Sequence, residues 1–317
     1  LTVPIGIGPG RFARIGVARA ELEREQRRLA DARRGAVGAA LAAFYRVLHA
    51  ERRVDLAAER LALAGDLRGA AAERHRVGDA PRLELLLAET EEIRAESERL
   101  AEREALARER IGLAAALGLA SAESLRVSGD LADRAFLSRL LDTGGAVPRA
   151  DVLAAESEVR AARAARSLAR TGWLPGLAFR LNYGHEQGEP LARPGLAVSM
   201  PLFHAGSEDR GVARAREMRA RAELERVRHV STAESEALAG IHASATAAAE
   251  LLQSRALPLV RESESMARES YRAGKLDLTS LLIVRRDLLE ARREHLDRLL
   301  DAALAGIDLA VARGHFQ

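Results

Sequence analysis

The residues able to do chemistry are scattered rather than clustered. The eight histidines are His49, His75, His185, His204, His229, His242, His295 and His315, and none forms an H-x-x-x-H or H-E-x-x-H pair. That spacing would set two imidazoles on one helical face toward a metal. His185 with Glu186 and Glu189 could touch a metal, but their turn-rich setting reads first as a solvated polar loop. The absence of cysteine removes disulfides, thiolate-bound zinc, iron–sulfur clusters and thiol nucleophiles. Gly6, Gly8 and Gly10 lack the Lys and Ser/Thr that complete a phosphate loop. Ser/His/Asp sets can be chosen from any chain this long, so the reading is of a non-enzyme with no cofactor and no metal centre. Glu/Arg pairs three and four apart, dense from Glu91 to Arg110, read as solvated helix faces. Tyr271 and Arg272 close a helical stretch, where an arginine suits the helix dipole or a gate.

The elements that hold these residues follow from composition. The chain has 317 residues, 48% apolar but only 3% aromatic, with 30% charged. An apolar fraction made mostly of Ala and Leu, with abundant Arg and Glu, is the signature of long helices and coiled coils. The net charge is +3 and Lys275 is the only lysine, so the basic side is almost wholly arginine and gives no nucleic-acid signal. No uninterrupted run of 18 apolar residues suggests a transmembrane helix.

The chain repeats itself. Gly16-Val17-Ala18-Arg19-Ala20 recurs at Gly211-Val212-Ala213-Arg214-Ala215, 195 residues on. Arg76-Val77-Gly78 matches Arg272-Ala273-Gly274 at 196, and Leu86, Ile93 and Leu100 fall on Leu282, Leu289 and Leu296. Gly118 meets Gly314 at the same offset. An internal duplication follows. Each unit holds a long helix, 12–77 or 206–273, about 100 Å at 1.5 Å per residue. Each stops at a glycine suited to a left-handed cap, Gly78 or Gly274. A second helix follows at once, 83–118 or 276–313, so each pair must fold back as a hairpin. The seven-residue Leu/Ile spacing fits a coiled-coil seam. The boundaries are 1–118 for the first repeat, 119–148 for a belt segment, and 149–317 for the second repeat with its tip at 274–277. The first repeat opens at Leu1–Ile5, the counterpart of a strand starting at Leu196, so an N-terminal truncation is expected.

After Pro175 the period changes to two. Leu177, Phe179, Leu181 and Tyr183 alternate with Ala178, Arg180, Asn182 and Gly184. A turn-rich stretch from Gly184 to Gly195 leads to Leu196, Val198, Met200 and Leu202 in alternation. A β-hairpin over 177–203 is predicted. One apolar face of this length can cross a bilayer when tilted, and an isolated hairpin in water is marginal. In lipid the sheet must close, so several chains must share one barrel. The expected lipid-facing side chains are Leu177, Phe179, Leu181, Leu196, Val198 and Met200, with Arg180 and Asn182 toward the lumen.

These stretches resemble the TolC-like outer-membrane efflux proteins, closest in wording to the outer-membrane components of heavy-metal pumps of the cobalt–zinc–cadmium type. The resemblance rests on Ala165 through Pro175 (ARSLARTGWLP), Met200 through Gly206 (MPLFHAG), Ser270 through Leu282 (SYRAGKLDLTSLL) and Arg149 through Glu156 (RADVLAAE). It implies a mainly α fold with a small β part. Long coiled-coil hairpins would form an α-barrel, and the strands would join a trans-outer-membrane β-barrel shared by a homotrimer. It further implies a Gram-negative outer-membrane exit duct with a large periplasmic part, working in a tripartite pump. Its partners would be a periplasmic adaptor (membrane fusion) protein and an inner-membrane resistance–nodulation–division transporter; the cargo would be divalent metal cations or drugs. A type I secretion exit duct shares the fold, and a soluble coiled-coil scaffold is the reading from another class. Val77, Gly78, Asp79, Ala273, Gly274 and Lys275 would form the adaptor-docking tip, with Glu84, Tyr271 and Arg272 as candidate gating residues. Some members carry carboxylates six and nine residues after the second tip glycine, where this chain has Ser280 and Ile283; Glu84 holds the sixth position after Gly78.

Overall fold

The computed structural model describes residues 2–4, 9–122, 125–133, 139, 141, 149–171, 176–186, 189–199 and 206–316. Met200, the end of the expected hairpin beyond it and most of the belt after 133 lie outside the described residues, as do the side chains of Leu177, Asn182, His185, Glu186 and Glu189. The elements are β1 (Thr2–Pro4), α1 (Pro9–Arg76), α2 (Arg82–Ala116), α3 (Ala150–Arg170), β2 (Gly176–Glu186), β3 (Glu189–Ser199) and α4 (Ser207–Leu251). A π turn (Leu252–Ala256) then leads without a break into α5 (Leu257–Arg272), and α6 (Leu278–Ala312) follows. No described helix is long and apolar enough to cross a membrane.

The chain divides into two units. The first comprises residues 1–34 and 146–234. Its helices meet through a small core of Val159, Ala162 and Ala220. Around that core run ion pairs: Arg160 to Glu23 at 2.7 Å, Arg228 to Glu156 at 2.8 Å, and Arg149 to Glu234 at 2.8 Å. Glu217 is nearly buried and is met by Arg166, Arg163 and Arg221. The hydrogen bond from Arg166 is the main cause holding its carboxyl below the usual carboxylate range.

The strands form an antiparallel sheet in the order β1-β2-β3. Register sets Leu177 against Val198, Phe179 against Leu196 and Leu181 against Pro194. Leu196 is 73% and Val198 56% exposed, two apolar side chains uncovered by the described residues. The strands run further than the sequence alternation suggests. The stretch read as turn-rich pairs through to Glu186 with Glu189, and Pro190 and Pro194 lie within β3. β3 borders the sheet, and proline is tolerated on an edge because its missing N–H need not serve a ladder.

The second unit comprises residues 35–145 and 235–316. One core gathers Tyr45, Leu48, Leu131, Ala249, Leu299, Ala303 and Ile307, so the early belt residue Leu131 seals against the helices. A second core, nearer the hairpin turns in sequence, gathers Leu67, Ala71, Ala88, Ala267, Tyr271, Leu278 and Leu281. The expected heptad seam is corrected in the first hairpin. Leu86, Ile93 and Leu100 are 46%, 68% and 56% exposed, whereas Ala88 and Ala95 are fully buried. The small alanines, not the leucines, face the partner helix. In the second hairpin, Leu282 packs on the core that contains Leu281, and Leu296 on the core that contains Leu299.

The reading of Glu91–Arg110 as a solvated ladder holds for the exposed pair Glu104 and Arg108 and is corrected for the others. Glu91 accepts from Arg60 at 2.6 Å, Glu98 also pairs with Arg60, Glu102 pairs with Arg53, and Arg110 donates to Glu51 at 2.9 Å. These charges bind α2 to α1.

Candidate functional site at the hairpin turns

Both hairpin turns use the same backbone device. Gly78 has φ 79° and Gly274 φ 68°, the left-handed region open to glycine at little steric cost. At the first, the Asp79 amide donates to Arg74 O at 2.8 Å and the Gly78 amide to His75 O at 3.1 Å. At the second, the Lys275 amide donates to Ser270 O at 2.9 Å and the Gly274 amide to Tyr271 O at 3.0 Å. This paired 6→1 and 5→2 pattern satisfies carbonyls that a helix end would otherwise leave open. Gly118 and Gly314 close α2 and α6 in the same way.

Side chains then join the two turns. Glu84, in the first turn of α2, accepts from Arg74 Nη1 at 2.7 Å and from the Tyr271 hydroxyl at 2.8 Å, both on its Oε1. Arg74 also donates from Nε to Asp79 Oδ2 at 3.0 Å, and its guanidinium lies 5.4 Å from the Tyr271 ring centroid. The contact with Asp79 leads the causes that push the Arg74 guanidinium further above its already high pKa, followed by Tyr271. Burial, first, raises the Tyr271 phenol; Arg74 opposes and Glu84 reinforces that shift. One carboxylate oxygen thus holds groups from both hairpins.

Of the candidate residues, Glu84 and Tyr271 meet, whereas Arg272 is exposed and is not brought into the cluster. Val77, Gly78, Asp79, Ala273, Gly274 and Lys275 are all exposed, with Asp79 anchored by Arg74. Sequence reasoning missed Arg74. Its signal was a cation one turn before a cap glycine, five residues from Asp79 and ten from Glu84, all reachable once the chain folds back. Close by, buried Glu264 accepts from Arg268 at 2.6 Å and lies 3.4 Å from Arg285. Burial draws the Arg285 guanidinium below its ordinary value.

The profile of the family described as outer membrane efflux protein matches residues 147–315, more than half of the chain. Among solved structures, the outer membrane protein VceC of Vibrio cholerae superposes with a TM-score of 0.77 at 18% identity, covering 100% of this chain and 79% of VceC. The MtrE outer membrane channel of Neisseria gonorrhoeae, in its open state, gives 0.74 at 18% identity, covering 94% of this chain and 71% of MtrE. CusC, described by its transmembrane channel formation, gives 0.74 at 17% identity, covering 94% and 72%. Comparison with curated protein sequences gives no match. At these identities the likeness concerns the fold.

Proposed function

The chain belongs to the outer membrane efflux protein family, and from that premise we propose that its full-length protein is the exit duct of a tripartite efflux pump. Three copies close one β-barrel in the outer membrane of a Gram-negative bacterium, with Leu177, Phe179, Leu181, Leu196, Val198 and Met200 toward lipid. The hairpins of the two repeats assemble into a periplasmic α-barrel. The turns at Val77, Gly78, Asp79 and at Ala273, Gly274, Lys275 dock a periplasmic adaptor, which links the duct to an inner-membrane resistance–nodulation–division transporter. The duct does no chemistry. Its regulated step is opening of the turns, where Glu84 lets go of Tyr271.

The observation that carries this reading is the shared Glu84 oxygen, which ties the two hairpins at their ends. Such a bond is strong enough to hold a closed state and weak enough for a docking partner to break: each hydrogen bond to a charged group is worth about 1.5–3 kcal/mol. The heavy-metal wording of the sequence favours divalent cations as cargo over drugs.

A strain lacking the native gene but keeping its adaptor and transporter tests this. Growth on divalent metal salts and on drugs is compared with and without the full-length protein. Restored metal tolerance, with the protein in the outer-membrane fraction, is the expected result. Recovery in the soluble periplasmic fraction would favour the scaffold reading instead.

A further inference from the structure

The π turn coincides with a one-residue change in the spacing of the repeats. Gly16–Ala20 maps onto Gly211–Ala215 at 195, while Arg76–Gly78 maps onto Arg272–Gly274 at 196, so the second long helix holds one residue more between these landmarks. The burial pattern locates that residue. On α1 a stripe of Ala43, Val47, Ala50, Val54 and Ala57 is buried or part-buried. Adding 195 gives Leu238, His242, Ala245, Ala249 and Leu252, all buried or part-buried. Further along, Arg60, Ala64, Ala71 and Arg74 are again turned inward. Adding 195 now gives Arg255, Leu259, Met266 and Glu269, all exposed; adding 196 gives Ala256, Val260, Ala267 and Ser270, all buried or part-buried. Leu67 departs from this stripe, its counterpart Ser263 being exposed; beside the first stripe, buried Tyr45 and Leu48 also depart, their counterparts Gly240 and Ala243 being exposed. The offset thus changes between Leu252 and Ala256, the five residues of the π turn.

We infer that the π turn houses a single residue by which the second long helix exceeds the first, and that it absorbs this residue so that both helices reach their turns in the same rotational phase. This rests on the duplication within the reading above. The geometry suits the task. The Leu257 amide bonds to Leu252 O, five residues back instead of four, which takes up one residue without rotating the flanks by the 100° that an insertion into a regular helix imposes. Pro258 follows directly, in the first turn of α5. It has no amide to donate, so a regular helix through this point would lack a bond and clash with the carbonyl four residues before. The device keeps Tyr271 level with Glu84.

The test deletes one residue at two places in the full-length protein, both in a Pro258→Ala background so that the ring does not penalise a regular helix. Deleting Ser254, inside the π turn, is expected to leave assembled protein within about twofold of Pro258→Ala alone. Deleting Arg261, equally exposed but in α5, is expected to lower it more than about tenfold. Register is read separately by thiol labelling, since the chain has no cysteine. With Ser254 deleted, Cys at the exposed position Glu269 should label at least about tenfold faster than Cys at the buried position Ala267, as in the parent. Equal loss, equal tolerance, or a levelled labelling ratio in the Ser254 deletion would overturn the inference. None of these readouts measures transport, so failure of the efflux reading would leave them unchanged.

Discussion

The turns at Gly78 and Gly274 trace the same backbone path and are stabilised by different forces. At the first, α2 starts after Pro81, which makes no side-chain cap, and the work falls to charges: Arg74 with Asp79 and Glu84. His75 Nδ1 adds a contact with Ala80 O at 3.0 Å. At the second, Asp277 caps α6 by accepting the Ser280 amide at 2.7 Å, and Leu278 beside it is buried. No acidic residue stands in that first turn, whereas Glu84 stands in the other. One turn is held by long side chains reaching across to neighbours, the other by its own cap and an apolar anchor. The first is therefore the one that salt loosens more, since its contacts are between charges.

Removing the carboxylate should break this contrast most. Glu84→Ala leaves the Tyr271 hydroxyl and Arg74 without their shared acceptor, a cost of about 1–3 kcal/mol. The full-length channel in a planar bilayer should then conduct more and lose most dependence on ionic strength; unchanged conductance would overturn the proposed gating role of Glu84. Gly274→Val comes next. A Cβ there meets nothing within 4 Å, so the penalty is the left-handed backbone alone, about 1–2 kcal/mol, more for a branched side chain. Membrane assembly should be near normal while efflux and adaptor crosslinking fall. Normal efflux would overturn the proposal that this turn docks an adaptor.

Tyr271→Phe removes one hydrogen bond and keeps the buried ring, costing about 1 kcal/mol. It also supplies the pH test. The Tyr271 pKa is raised in the folded protein, above the ordinary value of about 10. Its contribution is therefore whole below about pH 10 and lost as pH rises through the raised value, because the unfolded chain releases that proton first. Unfolding followed from about pH 9 to 11 should be steeper for the parent than for Tyr271→Phe. Asp277→Ala should have the smallest effect. Backbone hydrogen bonding from Ser280 holds Asp277 below the usual carboxylate range, so the cap acts above that range and fails as pH falls through the lowered value. Thermal scans near neutral and acidic pH should differ less in Asp277→Ala than in the parent.

What the sequence made legible was local. Glycines marked the helix stops because a left-handed cap needs no distant partner, and alternation marked β2 and β3 because strand period is a property of the strand itself. What stayed hidden depended on which face met which. The Leu86, Ile93, Leu100 spacing is a valid stripe, but nothing along the chain says whether it or the Ala88, Ala95 stripe turns inward; in the first hairpin the alanines do. Arg74 was hidden for the same reason, since Glu84 lies across the turn and Tyr271 is 187 residues from Glu84 along the chain. The π turn had left a trace, the slip from 195 to 196, which becomes meaningful only beside the burial of each helix.

The short turns also bear on the order of folding. Residues 77–81 and 273–277 are all that separate the paired helices, so each seam closes a very short loop and can zip outward from its glycine at little entropic cost. The sheet is the opposite case, because Thr2 must find Arg180. Contacts between neighbours in sequence form quickly and distant pairings slowly. In pulse-labelling hydrogen exchange, amides flanking Gly78 and Gly274 should gain protection before those of β1 and β2. The three strands would then be the last part of the chain to take shape, because their pairing waits on residues far apart in sequence.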